Sequence, residues 1–158
     1  MPYLDPPPFP APVVVTKDVG GLVSSYLAQT ERYRAEGREV RLHECRSACT
    51  LALSLPGVCV YPSSLLKFHQ AYNQITRETD LGISRQLFES YPKPVQARLG
   101  TLTRDYRVLT GAELISLGVR NCDDKRPRKI LPVPARQVPE TTTASWNIFE
   151  WLFSKAGS

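Results

Sequence analysis

The apolar positions switch between two periods along the chain. "PVVVTKD" is a short β-branched run and predicts a buried strand. After Gly20 and Gly21 the period lengthens: Val23, Tyr26, Leu27, Thr30 and Tyr33 recur at helical spacing, with Gln29, Glu31 and Arg32 opposite. Gly37 follows as a C′ glycine that ends the helix. "REVRLHEC" predicts the next strand, with Val40 and Leu42 on one face. A second helix is expected over "SACTLALSL", stopped by Pro56 and Gly57. Ser47 stands where an N-cap is favoured, which gives its placement a purely structural explanation. "VCVY" and "LLKFHQAY" read as a third and a fourth strand, the latter carrying His69. Helical segments are expected over 81–91 and 93–102, split by Pro92 and Pro94. In "LTGAELISLG", Thr110 and Glu113 form a capping box, Gly118 closes the helix, and "VRNC" reads as a last strand. Strands alternating with helices predict an α/β fold.

Proline distribution divides the chain further. Residues 1–12 and 125–143 are Pro-rich and read as extended arms around a packed domain over 13–124. Residues 144–158 form a separate aromatic, amphipathic segment, with Trp146, Phe149 and Phe153 on one helical face and Ile148 and Leu152 beside them. So short a helix needs a surface to dock on: its own domain, a second subunit or a membrane interface. The net charge is +5, and the clearest basic run, "DKRPRK", lies in the carboxy-terminal arm without a helix-turn-helix, finger or aromatic-basic strand pattern behind it. A solvated linker is therefore expected, and nucleic acid is not an expected partner. No apolar run reaches the ~18 residues of a membrane span, and no signal-peptide pattern is visible, which leaves the compartment open and cytoplasmic as the chain stands.

Chemistry concentrates in "HECRSACT". His43, Cys45, Cys49 and Cys59 are zinc ligands by type, but paired C-x-x-C knuckles are missing; packed thiols or one disulfide are the plainer reading. A serine at a strand-to-helix turn is a different candidate. There, backbone N–H groups and the helix dipole favour an oxyanion. Such a serine needs a base from another element. The chain has two histidines, and His69 lies on a later strand. Asp105, ahead of the capped helix, is a candidate to orient the imidazole, and Gly20–Gly21 a candidate second donor to the oxyanion.

Together these residues resemble the ClpP/crotonase superfamily, and most of all the small ClpP-like proteins of bacteria, often exported, that carry a C-x-S-A-C motif. "DVGG" resembles the oxyanion loop, "CRSACT" the nucleophile turn, "LLKFHQAY" the strand bearing the base, and "RDYRVLTGAELISLGV" the segment of the third triad member. The resemblance implies a β-β-α spiral, abbreviated at the amino terminus because few residues precede the Gly-Gly loop. It implies Ser47 as nucleophile, His69 as general base, Asp105 as orienting acid, and Gly20, Gly21 and Ala48 at the oxyanion hole. It also implies a peptide or acyl substrate, no metal and no cofactor, and an oligomeric habit. The loop reads "KDVGG" where the family has Ser/Asn-Pro-Gly-Gly; Glu113 or Asp80 are the other acids near the third position. In exported relatives such cysteines imply a Cys45–Cys49 or Cys49–Cys59 disulfide. Two alternatives are carried beside the hydrolase: a ClpP-like binding module without catalysis, and a small zinc or redox protein built on the cysteines.

Overall fold

The computed structural model describes residues 2–126. The linker beyond residue 126 and the aromatic segment 144–158 lie outside the described residues. The fold is mixed α/β. Its sheet has four strands in the order β1 (Val13–Asp18), β2 (Val40–Arg46), β3 (Val58–Phe68), β4 (Arg107–Thr110). The first three run parallel and β4 is antiparallel to β3.

β1 and β2 are joined by α1 (Val23–Glu36), which Gly37 terminates in the left-handed region at φ 62° as expected. β2 and β3 are joined by a 3-10 helix, Ser47–Ser54. Ala48 through Leu53 are all buried, so this helix is apolar all round and belongs to the core. It packs between α1, β3 and α2 (Leu81–Ser90). The core itself runs through Val13, Val15, Leu42, Val60, Leu66 and Phe68 on the strands, with Leu51, Leu87 and Leu114 from the helices. α3 (Lys93–Leu99) carries Pro94 in its first turn, where a missing N–H is harmless. α4 (Gly111–Ser116) begins with the expected capping box: Glu113 N–H donates to Thr110 Oγ1 at 3.2 Å, and Thr110 N–H donates to Glu113 Oε2 at 2.8 Å.

The strand assignments change in three places. The third and fourth strands are one strand. Between the Leu42–Val60 and Glu44–Leu65 pairs, β2 advances two residues while β3 advances five, so Pro62 and its neighbours bulge out. Ser64 closes the bulge by accepting from Tyr61 N–H at 2.8 Å and donating to the Leu42 carbonyl at 2.6 Å. "RVLT", to which the sequence pattern assigns no element of its own, is a strand. "VRNC" gives only one bridge, Val60 to Asn121.

The amino-terminal arm is docked. Tyr3 is completely buried, stacked on Tyr26 and edge-on to Tyr33, each at 5.3 Å. Proline lacks an N–H, so such an arm offers carbonyls with few donors of its own. The buried Arg38 supplies them: its guanidinium donates to Ala11 O at 2.7 Å and to Pro7 O, and its third link is to Glu36 at 3.1 Å. The packed unit therefore includes residues assigned to a free arm.

Candidate functional site

Three parallel strands end side by side, since Asp18 pairs with Cys45 and Cys45 with Leu66. The residues that follow them, Val19–Gly21, Ser47 and His69, line one cavity of about 260 Å³. The carboxyl edge of a parallel sheet is where open α/β folds place ligands.

Ser47 enters its helix at φ 60°, in the left-handed region. A non-glycine residue there is strained by about 1–3 kcal/mol and persists only when its surroundings dictate it. The N-cap explanation fails: the N-cap is Arg46, and no side chain caps the helix. Several contacts hold the turn. The Cys45–Cys49 disulfide spans Ser47, with the two Cα atoms 5.5 Å apart. Thr50 Oγ1 donates to the Ser47 carbonyl at 2.6 Å and lies 2.6 Å from the hydroxyl of the buried Tyr91. Gly20 packs directly on the turn. A Cβ at Gly20 would stand 2.7 Å from both Arg46 O and Ser47 Cβ, and φ there is +82°. Only glycine fits that approach.

The Gly-Gly loop has a brace that the sequence reading overlooked. Asp18 is buried, and its Oδ1 accepts from Gly20 N–H at 2.8 Å and from the Tyr26 hydroxyl at 2.7 Å. Its Oδ2 is buried without a hydrogen-bond partner among the described residues. An Asp two residues before a turn glycine is an Asx-turn signal, and "DVG" carried it. Gly20 N–H is thus committed to Asp18, which corrects its place as an oxyanion donor. Gly21 and Ala48 remain the candidates, and the Gly20 Cβ position lies 3.2 Å from Ala48 N.

His69 follows the last residue of β3 and is 7% exposed. Its Nδ1 lies 2.7 Å from the Gln70 carbonyl. A carbonyl only accepts, so the neutral ring carries its proton on Nδ1 and leaves Nε2 as the basic nitrogen. Burial pushes the His69 pKa below the ordinary histidine value. The Gln70 bond acts upward, and the Arg104 and Arg46 guanidiniums push it down further. The ring sits between Tyr106, edge-on at 4.8 Å, and Tyr72 at 6.0 Å.

The expected third member, Asp105, is exposed in the loop before β4, where its backbone bonds to the Thr103 hydroxyl, and the partner at His69 Nδ1 is the Gln70 carbonyl. Asp80 caps α2 by accepting from Ile83 N–H at 2.9 Å, and Glu113 belongs to its own capping box. Ser47 and His69 share the cavity without a hydrogen bond between them.

The zinc set does not form. Cys45 is bonded to Cys49, and Cys59 to Cys122 across a separation of 63 residues. No thiolate is left for a metal, and His43 stacks on Tyr61 at 4.3 Å. No family model and no curated relative matches the chain.

Proposed function

We propose that this chain is a serine hydrolase of the ClpP-like kind, with a β-β-α spiral fold, acting on peptide or acyl bonds. The observation that supports this reading best is the left-handed Ser47 at the exit of β2, facing the same cavity as His69. In the proposed cycle Ser47 Oγ attacks the acyl carbon while His69 Nε2 takes its proton. The oxyanion forms against the N–H groups of Gly21 and Ala48. The imidazolium then gives its proton to the leaving group, and water, deprotonated by the same nitrogen, releases the acyl group.

The base works with a carbonyl, not a carboxylate, behind it. Gln70 O fixes the tautomer but stabilises the imidazolium less than a charged partner would. Slow turnover at modest pH is the expected consequence. Resting sites often hold nucleophile and base apart until substrate arrives, so the missing Ser47–His69 bond is compatible with the cycle. The two disulfides suit an oxidising compartment, in line with export.

A serine-directed fluorophosphonate decides the matter. It should label the wild-type chain, spare Ser47→Ala, and label His69→Ala at least ~100-fold more slowly. Equal labelling of wild type and Ser47→Ala would overturn the reading. No labelling of either would favour a binding module that has kept the turn and lost the chemistry.

A further inference from the structure

Each of the two tyrosine rings beside His69 carries a guanidinium. Arg46 lies over Tyr106 at 5.5 Å. Arg104 lies over Tyr72 at 4.0 Å, with Arg77 over the same ring at 5.9 Å. Most arginines elsewhere are paired with acids, among them Arg32 with Glu36, Arg34 with Glu31, Arg41 with Glu39 and Arg98 with Glu113, while among the described residues Arg85 and Arg107 are not. Among the described residues, the three around His69 form no ion pair with a carboxylate. Arg46 gives only Nε to Val19 O, at 3.4 Å, and Arg104 gives Nη1 to Arg77 O at 2.8 Å and to Thr79 Oγ1 at 3.4 Å.

Arg46 lines the cavity itself, while Arg104 and Arg77 stand against Tyr72, one of its lining rings, and uncompensated cations so close together repel one another. Stacking on aromatic faces offsets part of that cost and leaves the planar edges of the guanidiniums free to donate. A guanidinium edge is the shape that binds a carboxylate through two parallel hydrogen bonds. Of the acids that line the two adjoining cavities, Asp80 is turned to its own helix, Asp18 accepts from Gly20 and Tyr26, and Glu44 faces Lys17; the Asp80 cavity is otherwise walled by Leu22, Val23, Ile75 and Ile83. The anion-seeking surface is therefore the His69 side of the site.

We infer that the site takes an acyl substrate bearing a carboxylate beside the scissile bond, bound by Arg46 with Arg104 as the second cation. The acyl part of this statement rests on the hydrolase reading; the carboxylate part does not. A peptide with an acidic side chain at the cleaved residue supplies both.

Two measurements on the full chain separate the parts. The first compares N-acetyl-glutamyl and N-acetyl-glutaminyl p-nitroanilide, which differ by one charge. The glutamyl substrate should show a KM roughly tenfold lower, a gap that Arg46→Gln closes with little change in kcat. Arg104→Gln, at an exposed position, should narrow it too and serves if Arg46→Gln fails to fold. The second needs no turnover. Ser47→Ala is titrated with the α-amides of N-acetylglutamate and N-acetylglutamine, of which only the first carries a carboxylate, while the ring resonances of His69, one of two histidines, are followed. The N-acetylglutamate amide alone should bind and raise the His69 pKa, because its side-chain carboxylate offsets the two arginines. Selective binding without cleavage of either anilide keeps the inference and ends the hydrolase reading. Cleavage of both with equal KM, together with equal titration by both amides, ends the inference and keeps the hydrolase. Neither binding nor cleavage ends both.

Discussion

Ser47 and His69 stand at the ends of neighbouring parallel strands, yet the molecule holds them very differently. The serine turn is clamped from every side, by a disulfide, by Thr50 and Tyr91, and by a glycine seated against its backbone. The histidine has one backbone hydrogen bond and two tyrosine rings, one of them about half exposed. Rigidity has gone to the residue whose conformation is strained, because strain survives only where the surroundings leave no alternative. His69, with fewer fixed contacts, is the less constrained of the two. The contrast predicts that damage on the serine side will be severe and structural, and that damage on the histidine side will be graded and electrostatic.

The hardest test of the serine side is Gly20→Ala. The new methyl meets Arg46 O and Ser47 Cβ at 2.7 Å in a left-handed backbone. Conformation costs about 1–2 kcal/mol and overpacking about 1–3 kcal/mol more. Whatever folds will carry a displaced Ser47, and a shift near 1 Å costs about 100-fold in rate. Denaturant midpoints and fluorophosphonate labelling should both fall, labelling the more steeply.

The two disulfides offer a crossed comparison. Chain entropy assigns about 4 kcal/mol to Cys59–Cys122, which closes a separation of 63 residues, and about 2 kcal/mol to Cys45–Cys49, separated by 4. Replacing Cys59 and Cys122 by Ala should therefore cost more stability. Replacing Cys45 and Cys49 should cost more labelling, since that bond spans the Ser47 turn. If both pairs lower labelling only in proportion to stability, the clamp around Ser47 has no special role.

On the histidine side the probe is pH. His69 is held below the ordinary histidine value by burial and by Arg104 and Arg46, with the Gln70 bond opposing. The proposed cycle needs the neutral ring, so kcat/KM should rise with pH along a limb centred below ~6.5 and level off above it. Arg104→Gln should move the limb upward. Stability follows the same sign: the unfolded chain protonates its histidine more readily, so the fold loses stability as pH falls below ~6.5. A limb centred above that value would contradict the assignment.

How far the sequence reached depended on how local each signal was. α1, its Gly37 terminus and the Thr110–Glu113 box were legible because period and capping act within a few residues. β3 was split in two because Pro62 looks like a breaker, while the sheet absorbs it in a bulge that only the β2 register reveals. β4 is four residues long with two exposed side chains, too short for its pattern to register. Ser47 suited two roles, and its backbone angle, invisible in the sequence, removes the N-cap. Tyr3 looked unanchored among prolines because its partners, Thr30 and Tyr33, are nearly thirty residues away. The Cys59–Cys122 bond is non-local in the same way.

The smallest expected effect sharpens the comparison most. Motif order places Asp105 behind the histidine, whereas His69 Nδ1 is bonded to the carbonyl of Gln70, a partner that no side-chain motif records. Asp105→Asn should then change labelling and kcat/KM less than about threefold, whereas loss of a true triad carboxylate costs about 10⁴-fold. The pH limb should not move upward or downward either, since no carboxylate is among the charges acting on His69. A collapse of activity would mean that the loop bearing Asp105 swings onto the imidazole when substrate binds. In that case the histidine side is looser still than its tyrosine walls imply, and its third member is recruited rather than built in.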